Sequence, residues 1–111
     1  PDRTYLMGFS QGAAVSIATM LRRPTAARGL AALVGFAPAA PDEAVAGRFD
    51  GLPAFLAVGA RDETIPYEQS QRAADLLRRA GADLTYGEYP IGHKLTAEGM
   101  RDLQAWFAAR Q

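Results

Sequence analysis

Apolar and polar residues alternate along the chain in blocks whose spacing switches between two periods. Thr4 to Phe9 is a short apolar run, which reads as a strand. Gln11 to Leu21 places Ala14, Ile17, Ala18 and Leu21 at helical spacing, and Pro24 stops the helix. Leu30 to Phe36 is almost continuously apolar, the pattern of a strand buried on both faces of a parallel sheet. Pro38 to Gly51 reads as a loop with a short helical turn around Glu43 to Ala46. Pro53 to Val58 is a second buried strand, ended by Gly59. Tyr67 to Ala80 is helical, with Ala73, Leu77 and Ala80 on one face and Gly81 in the place of a left-handed cap. Leu84 to Tyr89 is a more polar strand, expected nearer a sheet edge. The last helix runs from about Ala97 to Ala109. Thr96 can cap it, Leu95 can pack on Met100 as a hydrophobic staple, and Met100, Leu103 and Phe107 would form its inward face. Of Trp106 and Phe107, one is expected to face the core and the other the rim.

This alternation predicts an α/β fold, a parallel sheet of about four strands flanked by helices. The 111 residues suit a single domain, 1–111, without a linker or an internal repeat. A sheet of four parallel strands leaves one long edge unpaired. The chain also starts Pro1-Asp2-Arg3, without Met or a signal-like segment, and runs at once into a strand. The expectation is a partial domain whose N-terminal strands pair along that edge.

Composition narrows the function. Hydrophobic residues at 49% and charged residues at 22% are globular proportions. Twelve basic and twelve acidic residues cancel, so neither a nucleic-acid stripe nor an acidic tail is present. The absence of cysteine removes disulfides, thiolate metal sites and cysteine nucleophiles, and suits either redox environment. The cytoplasm is the expected location. No apolar run approaches the roughly 20 residues of a membrane span. Met7, Met20 and Met100 sit in core-like positions and read as packing.

Chemistry concentrates at three points. Gly8-Phe9-Ser10-Gln11-Gly12 follows a strand and opens a helix, the setting of a nucleophile elbow. A serine there sits on a strained turn with its hydroxyl above the sheet. Side chains at positions 8 and 12 would collide with strand and helix backbones. The Gln11 N–H, at the helix N-terminus, would face a developing oxyanion. An ordinary strand-to-helix turn can carry the same five residues. Serine needs a base, and the chain has one histidine, His93, between the last strand and the last helix. Elsewhere a lone loop histidine is ordinary surface. Asp62 follows the strand Pro53 to Val58 and could fix the imidazole tautomer. It could equally be a solvated loop acid or a helix cap, and Glu63 beside it takes the cap or surface role. The order Ser, Asp, His is that of α/β-hydrolases, and all three lie at the C-terminal ends of parallel strands, where such sheets place their sites.

The stretches Gly8-Phe9-Ser10-Gln11-Gly12-Ala13, Gly59-Ala60-Arg61-Asp62 with Ile65-Pro66, and Tyr89-Pro90-Ile91-Gly92-His93 resemble the phospholipase/carboxylesterase family of α/β-hydrolases, which includes acyl-protein thioesterases. The resemblance covers nearly the whole chain. It implies the C-terminal part of an α/β-hydrolase fold and a serine hydrolase acting on small acyl esters or thioesters. Ser10 would carry an acyl-enzyme, with Asp62 and His93 completing the catalytic set. Gln11 would supply one oxyanion donor through its backbone N–H, the other coming from a loop after an early strand not present here. No metal or organic cofactor is implied. The family often has Gly where this chain has Ala13, a change in helix packing rather than chemistry. A peptidase or lactone hydrolase on the same fold, or a catalytically silent binding homologue, are the alternatives. Residues 1–111 alone are expected to show negligible esterase activity, because losing one oxyanion donor costs on the order of 100- to 1000-fold. Oligomeric state is left open.

Overall fold

The computed structural model describes residues 4–110. Along the chain it has β1 (Tyr5–Phe9), α1 (Gln11–Arg22), β2 (Gly29–Leu33), a short 3-10 turn (Asp42–Ala44), β3 (Pro53–Gly59), α2 (Tyr67–Arg79), β4 (Asp83–Tyr89) and α3 (Ala97–Ala108). The four strands form one sheet in the order β1-β2-β3-β4, and each neighbouring pair is parallel. This is the α/β architecture expected from the sequence.

The continuous apolar runs have a direct cause. Side chains alternate between sheet faces, and here both faces are covered. Leu30, Ala32, Leu56 and Val58 meet Ile17 and Met20 of α1 and Ala73, Ala74 and Leu77 of α2 on one side. Ala31, Leu33, Phe55 and Ala57 meet Leu103 and Trp106 of α3 on the other. β2 and β3 are therefore buried almost throughout, while β1 and β4 alternate as edge strands do. Fully burying an aliphatic or Phe side chain of this kind contributes roughly 1.5–3 kcal/mol.

Local chemistry sets the ends. Gly81 (φ +84°) closes α2, with its N–H bonded to the Arg78 carbonyl and the Ala82 N–H to the Leu77 carbonyl, a Schellman pattern. Thr96 Oγ1 accepts from the Gly99 N–H at 2.8 Å and caps α3.

Three expectations need correction. β2 stops at Leu33 rather than Phe36, because Val34 takes a left-handed backbone (φ 51°) that no strand continues. α3 is turned by about one residue from its expected face: Gly99, Leu103 and Trp106 are buried, while Met100 and Phe107 are 45% and 40% exposed. The missing side chain of Gly99 lets the helix close onto Leu95 and Tyr89; a Cβ there would lie 2.7 Å from Leu95 and 3.3 Å from Tyr89. Leu95 thus packs over Gly99. Trp106 is the core aromatic and Phe107 the rim one. Of the three methionines only Met20 is core; Met7 is 58% exposed, because α1 lies against the opposite face of β1. Met7 instead borders an open apolar groove of about 590 Å³ lined also by Tyr5, Leu103, Trp106 and Phe107. Among the described residues, no helix is long and apolar enough to cross a membrane.

Candidate active site

Parallel strands deliver their C-terminal ends, and the loops after them, to one edge of the sheet. Ser10 follows β1, Asp62 follows β3 and His93 follows β4. The structure brings all three side chains together. His93 Nε2 lies 2.8 Å from Ser10 Oγ, and His93 Nδ1 lies 2.6 Å from Asp62 Oδ2. The other Asp62 oxygen, Oδ1, accepts from the backbone N–H groups of Thr64 and Ile65, both at 2.8 Å. The Asp62 side chain is 1% exposed and that of His93 is 23% exposed.

These partners fix the protons. An ionised carboxylate only accepts, so Nδ1 carries the imidazole proton. Nε2 is then left to accept from the Ser10 hydroxyl. Burial pushes the Asp62 carboxyl up, but the Ile65 N–H, the His93 ring and the Thr64 N–H together outweigh it and hold it below its ordinary value. The phenyl ring of Phe9 sits 5.4 Å from the imidazole, tilted by 55°.

Backbone geometry explains why Ser10 projects where it does. It stands between β1 and α1 with φ 57° and ψ −119°, one of two non-glycine residues with positive φ among the described residues. Such a conformation costs about 1–3 kcal/mol and persists only where the surroundings impose it. Here the Ser10 N–H donates to the Leu33 carbonyl at 2.8 Å, and the Ser10 carbonyl accepts from Ala13 at 3.0 Å. Gly8 is required by contact: a Cβ would fall 2.1 Å from the Gly12 carbonyl oxygen and 2.6 Å from Ser16 Oγ. The expected clash at Gly12 itself is not found, since a Cβ there meets nothing within 4 Å. The tight contact is between the two backbones, and one missing Cβ, at position 8, is enough to allow it. Gln11 is the first residue of α1, so its N–H is among the helix N-terminal donors.

Two glycines support the site in a way not read from the sequence, where Gly59 marks only a strand end and part of a family stretch. Gly35 lies under the turn, where a Cβ would be 2.5 Å from the Ser10 carbonyl oxygen and 2.4 Å from Ala13 Cβ. Gly59 lets the loops carrying Asp62 and His93 touch, since a Cβ would be 2.5 Å from the Gly92 carbonyl oxygen. A glycine directly after a buried apolar run is the signal both carried. Val34, with φ 51° and 2% exposure, is strained beside them, and its N–H donates to Ala57 at 2.8 Å. The carboxylate at the imidazole is Asp62 and not Glu63. Among the described residues, no group of three or more His, Asp or Glu side chains is arranged to hold a metal.

Comparison with known proteins places the chain in a family. Over 112 residues the chain is 35% identical to acyl-protein thioesterase 1 of Mycosarcoma maydis, covering 95% of this chain and 47% of that protein. It is 30% identical over 115 residues to an Arabidopsis thaliana protein named "Probable carboxylesterase SOBER1-like", covering 99% and 43% respectively. The chain thus spans about half the length of the curated relatives it matches. The crystal structure of the Bacillus cereus carboxylesterase superposes with a TM-score of 0.85 at 21% identity, over 96% of this chain and 50% of that one, which shows a shared fold. The sequence profile of the family described as Phospholipase/Carboxylesterase matches residues 1–110, and the chain belongs to that family of α/β-hydrolases.

Proposed function

We propose that this chain carries the reaction centre of a serine hydrolase that cleaves carboxylic esters or thioesters through an acyl-enzyme on Ser10. The observation that carries the reading is the continuous hydrogen-bonded chain from Ser10 Oγ through His93 to Asp62. Relatives named carboxylesterase and acyl-protein thioesterase support the substrate class. Because the chain spans about half of those relatives, the activity is proposed for the whole protein.

The steps follow from the geometry. Ser10 Oγ attacks the carbonyl carbon while His93 Nε2, 2.8 Å away, takes the hydroxyl proton. The imidazolium so formed faces the Asp62 carboxylate at 2.6 Å, which stabilises it without taking its proton. The tetrahedral oxyanion is stabilised by the Gln11 N–H at the start of α1. Collapse breaks the carbon–oxygen or carbon–sulfur bond, and His93 protonates the departing alcohol or thiol. Water, deprotonated by His93, then attacks the acyl-serine; the acid leaves and Ser10 regains its proton. A cytoplasmic location is part of the same proposal.

A two-step mechanism makes a kinetic demand. Full-length protein mixed with p-nitrophenyl acetate should release a burst of p-nitrophenol close to one equivalent of enzyme, followed by slower turnover, provided deacylation is the slower step. Intact-mass measurement during turnover should show one acetyl group per chain. Hydrolysis that never passes through an acetylated protein, in burst or in mass, contradicts the proposal.

A further inference from the structure

The proposed relay depends on two loops keeping a fixed spacing. One, after β3, carries Asp62; the other, after β4, carries His93. Their inner sides are joined by backbone bonds, from the Ala60 N–H to the Tyr89 carbonyl at 2.8 Å and from the Arg61 N–H to the Ile91 carbonyl at 3.0 Å. Their outer side is joined by side chains. Glu88 Oε1 accepts from the Tyr67 hydroxyl at 2.8 Å and from the Tyr86 hydroxyl at 2.7 Å. The Tyr86 oxygen in turn accepts from Gln71 Nε2 at 2.7 Å, and the Arg78 guanidinium lies 5.7 Å from the Tyr86 ring centroid.

The places of these residues in the chain give the cluster its meaning. Tyr67 is the first residue of α2. Pro66, with its restricted φ, and the turn held by Asp62 Oδ1 connect it to Asp62. Glu88 is the next-to-last residue of β4, and the buried Tyr89 and the turn in which the Ile91 N–H bonds the Tyr89 carbonyl connect it to His93. A pull on Glu88 or Tyr67 is thus passed to the reacting groups through short, stiff connections. The cluster also sits on an edge: β4 pairs only with β3 among the described residues, so no further strand holds its outer side. The two tyrosine hydroxyls hold the Glu88 carboxyl below its ordinary value, so the acceptor is charged at neutral pH. Hydrogen bonds to a charged group are about twice as strong as neutral ones.

We propose that Glu88 is a positioning residue: steadied by Tyr86 within β4 and bonded to Tyr67 at the start of α2, it sets the separation of the loops that carry Asp62 and His93. The proposal rests on the serine hydrolase reading, and Ser10→Ala separates the two. If Ser10→Ala leaves hydrolysis intact, the reading itself fails. If Ser10→Ala is inactive while the Glu88 variants behave as wild type, only the positioning role fails.

The test compares full-length wild type, Glu88→Ala, Glu88→Gln and the double variant Tyr67→Phe/Tyr86→Phe with p-nitrophenyl acetate. The kcat of Glu88→Ala should fall about three- to tenfold, short of the roughly 100-fold that a full 1 Å misplacement of a reacting group costs, because the backbone bonds between the two loops remain. KM should stay unchanged, because the Glu88 carboxylate bonds Tyr67 and Tyr86 and not Ser10, Asp62 or His93. Glu88→Gln keeps an amide oxygen that accepts both hydroxyls and should recover most of the loss. The double Phe variant, which keeps the rings and so the packing, should reproduce the loss. The downfield proton resonance of the His93 Nδ1–H in its short bond to Asp62 should broaden or move upfield in Glu88→Ala and return in Glu88→Gln. Wild-type kcat and an unmoved resonance in the double Phe variant would overturn the proposal, as would Glu88→Gln behaving like Glu88→Ala. Should Glu88→Ala fail to fold, the Gln and double Phe variants decide the matter alone.

Discussion

Ser10→Ala should lower kcat of the full-length enzyme by roughly 10⁴- to 10⁶-fold and leave its fold intact. The size follows from what the hydroxyl does. Among the described residues it is the hydroxyl within reach of His93 Nε2, and without it the proposed base has no hydroxyl to activate. Water could enter in its place, but the residual rate would rest on binding and oxyanion stabilisation alone. Stability should hardly change. The Ser10 side chain makes one hydrogen bond, to His93, and alanine meets the same backbone penalty at φ 57°. Progress curves with p-nitrophenyl acetate at high enzyme concentration, and urea unfolding by circular dichroism, measure both parts. A loss of activity matched by a comparable loss of structure would assign Ser10 to the fold rather than to the reaction.

Asp62→Asn should cost about 10⁴-fold in kcat, through a proton rather than through a charge alone. Asn can still use its oxygen to accept from Thr64 and Ile65, which leaves its NH₂ facing His93. An amide N–H donates, so Nδ1 must become the acceptor and the ring proton moves to Nε2. Nε2 then donates to Ser10 Oγ instead of accepting, and the base is lost while every heavy atom stays close to its place. The same substitution predicts a pH dependence of stability. The Asp62 carboxyl in the native state lies below its ordinary value, so the folded chain binds that proton less readily than the unfolded chain. Its contribution is complete above the ordinary carboxylate value and is lost as pH falls through the lower, folded value. The difference in unfolding free energy between wild type and Asp62→Asn should therefore be flat near neutral pH and shrink only in acid. A difference that grows on acidification would contradict the assigned direction.

The fold was largely legible because burial dictates the pattern. Leu30–Leu33 and Phe55–Val58 read as continuous apolar runs for the physical reason that helices cover both faces of their strands. Gly81 and Thr96 announced helix ends because each meets a backbone need that few other residues meet. The candidate site was legible as three residue types at three strand ends, which the fold brings together. What stayed hidden depends on neighbours distant in sequence. The rotation of α3 that buries Trp106 and exposes Phe107 is set by Gly99 closing onto Tyr89. The left-handed Val34 goes against what a β-branched residue predicts, and only the contact of Gly35 with the Ser10 turn accounts for the chain path there. Of the clashes expected at Gly8 and Gly12 only that at Gly8 is found, because motif spacing does not say which Cα–Cβ vector points at the other backbone. The bond of Glu88 to Tyr67 joins residues 21 apart and has no sequence signature.

A nucleophilic Ser10 activated by His93 should react with a fluorophosphonate probe. Full-length protein is treated with the probe, digested, and the adduct mapped by mass spectrometry, alongside His93→Ala. A single adduct is expected on the peptide containing Gly8-Phe9-Ser10-Gln11-Gly12, localised to Ser10 and nearly absent in His93→Ala. No adduct in a folded protein, or an adduct on another residue, would contradict it.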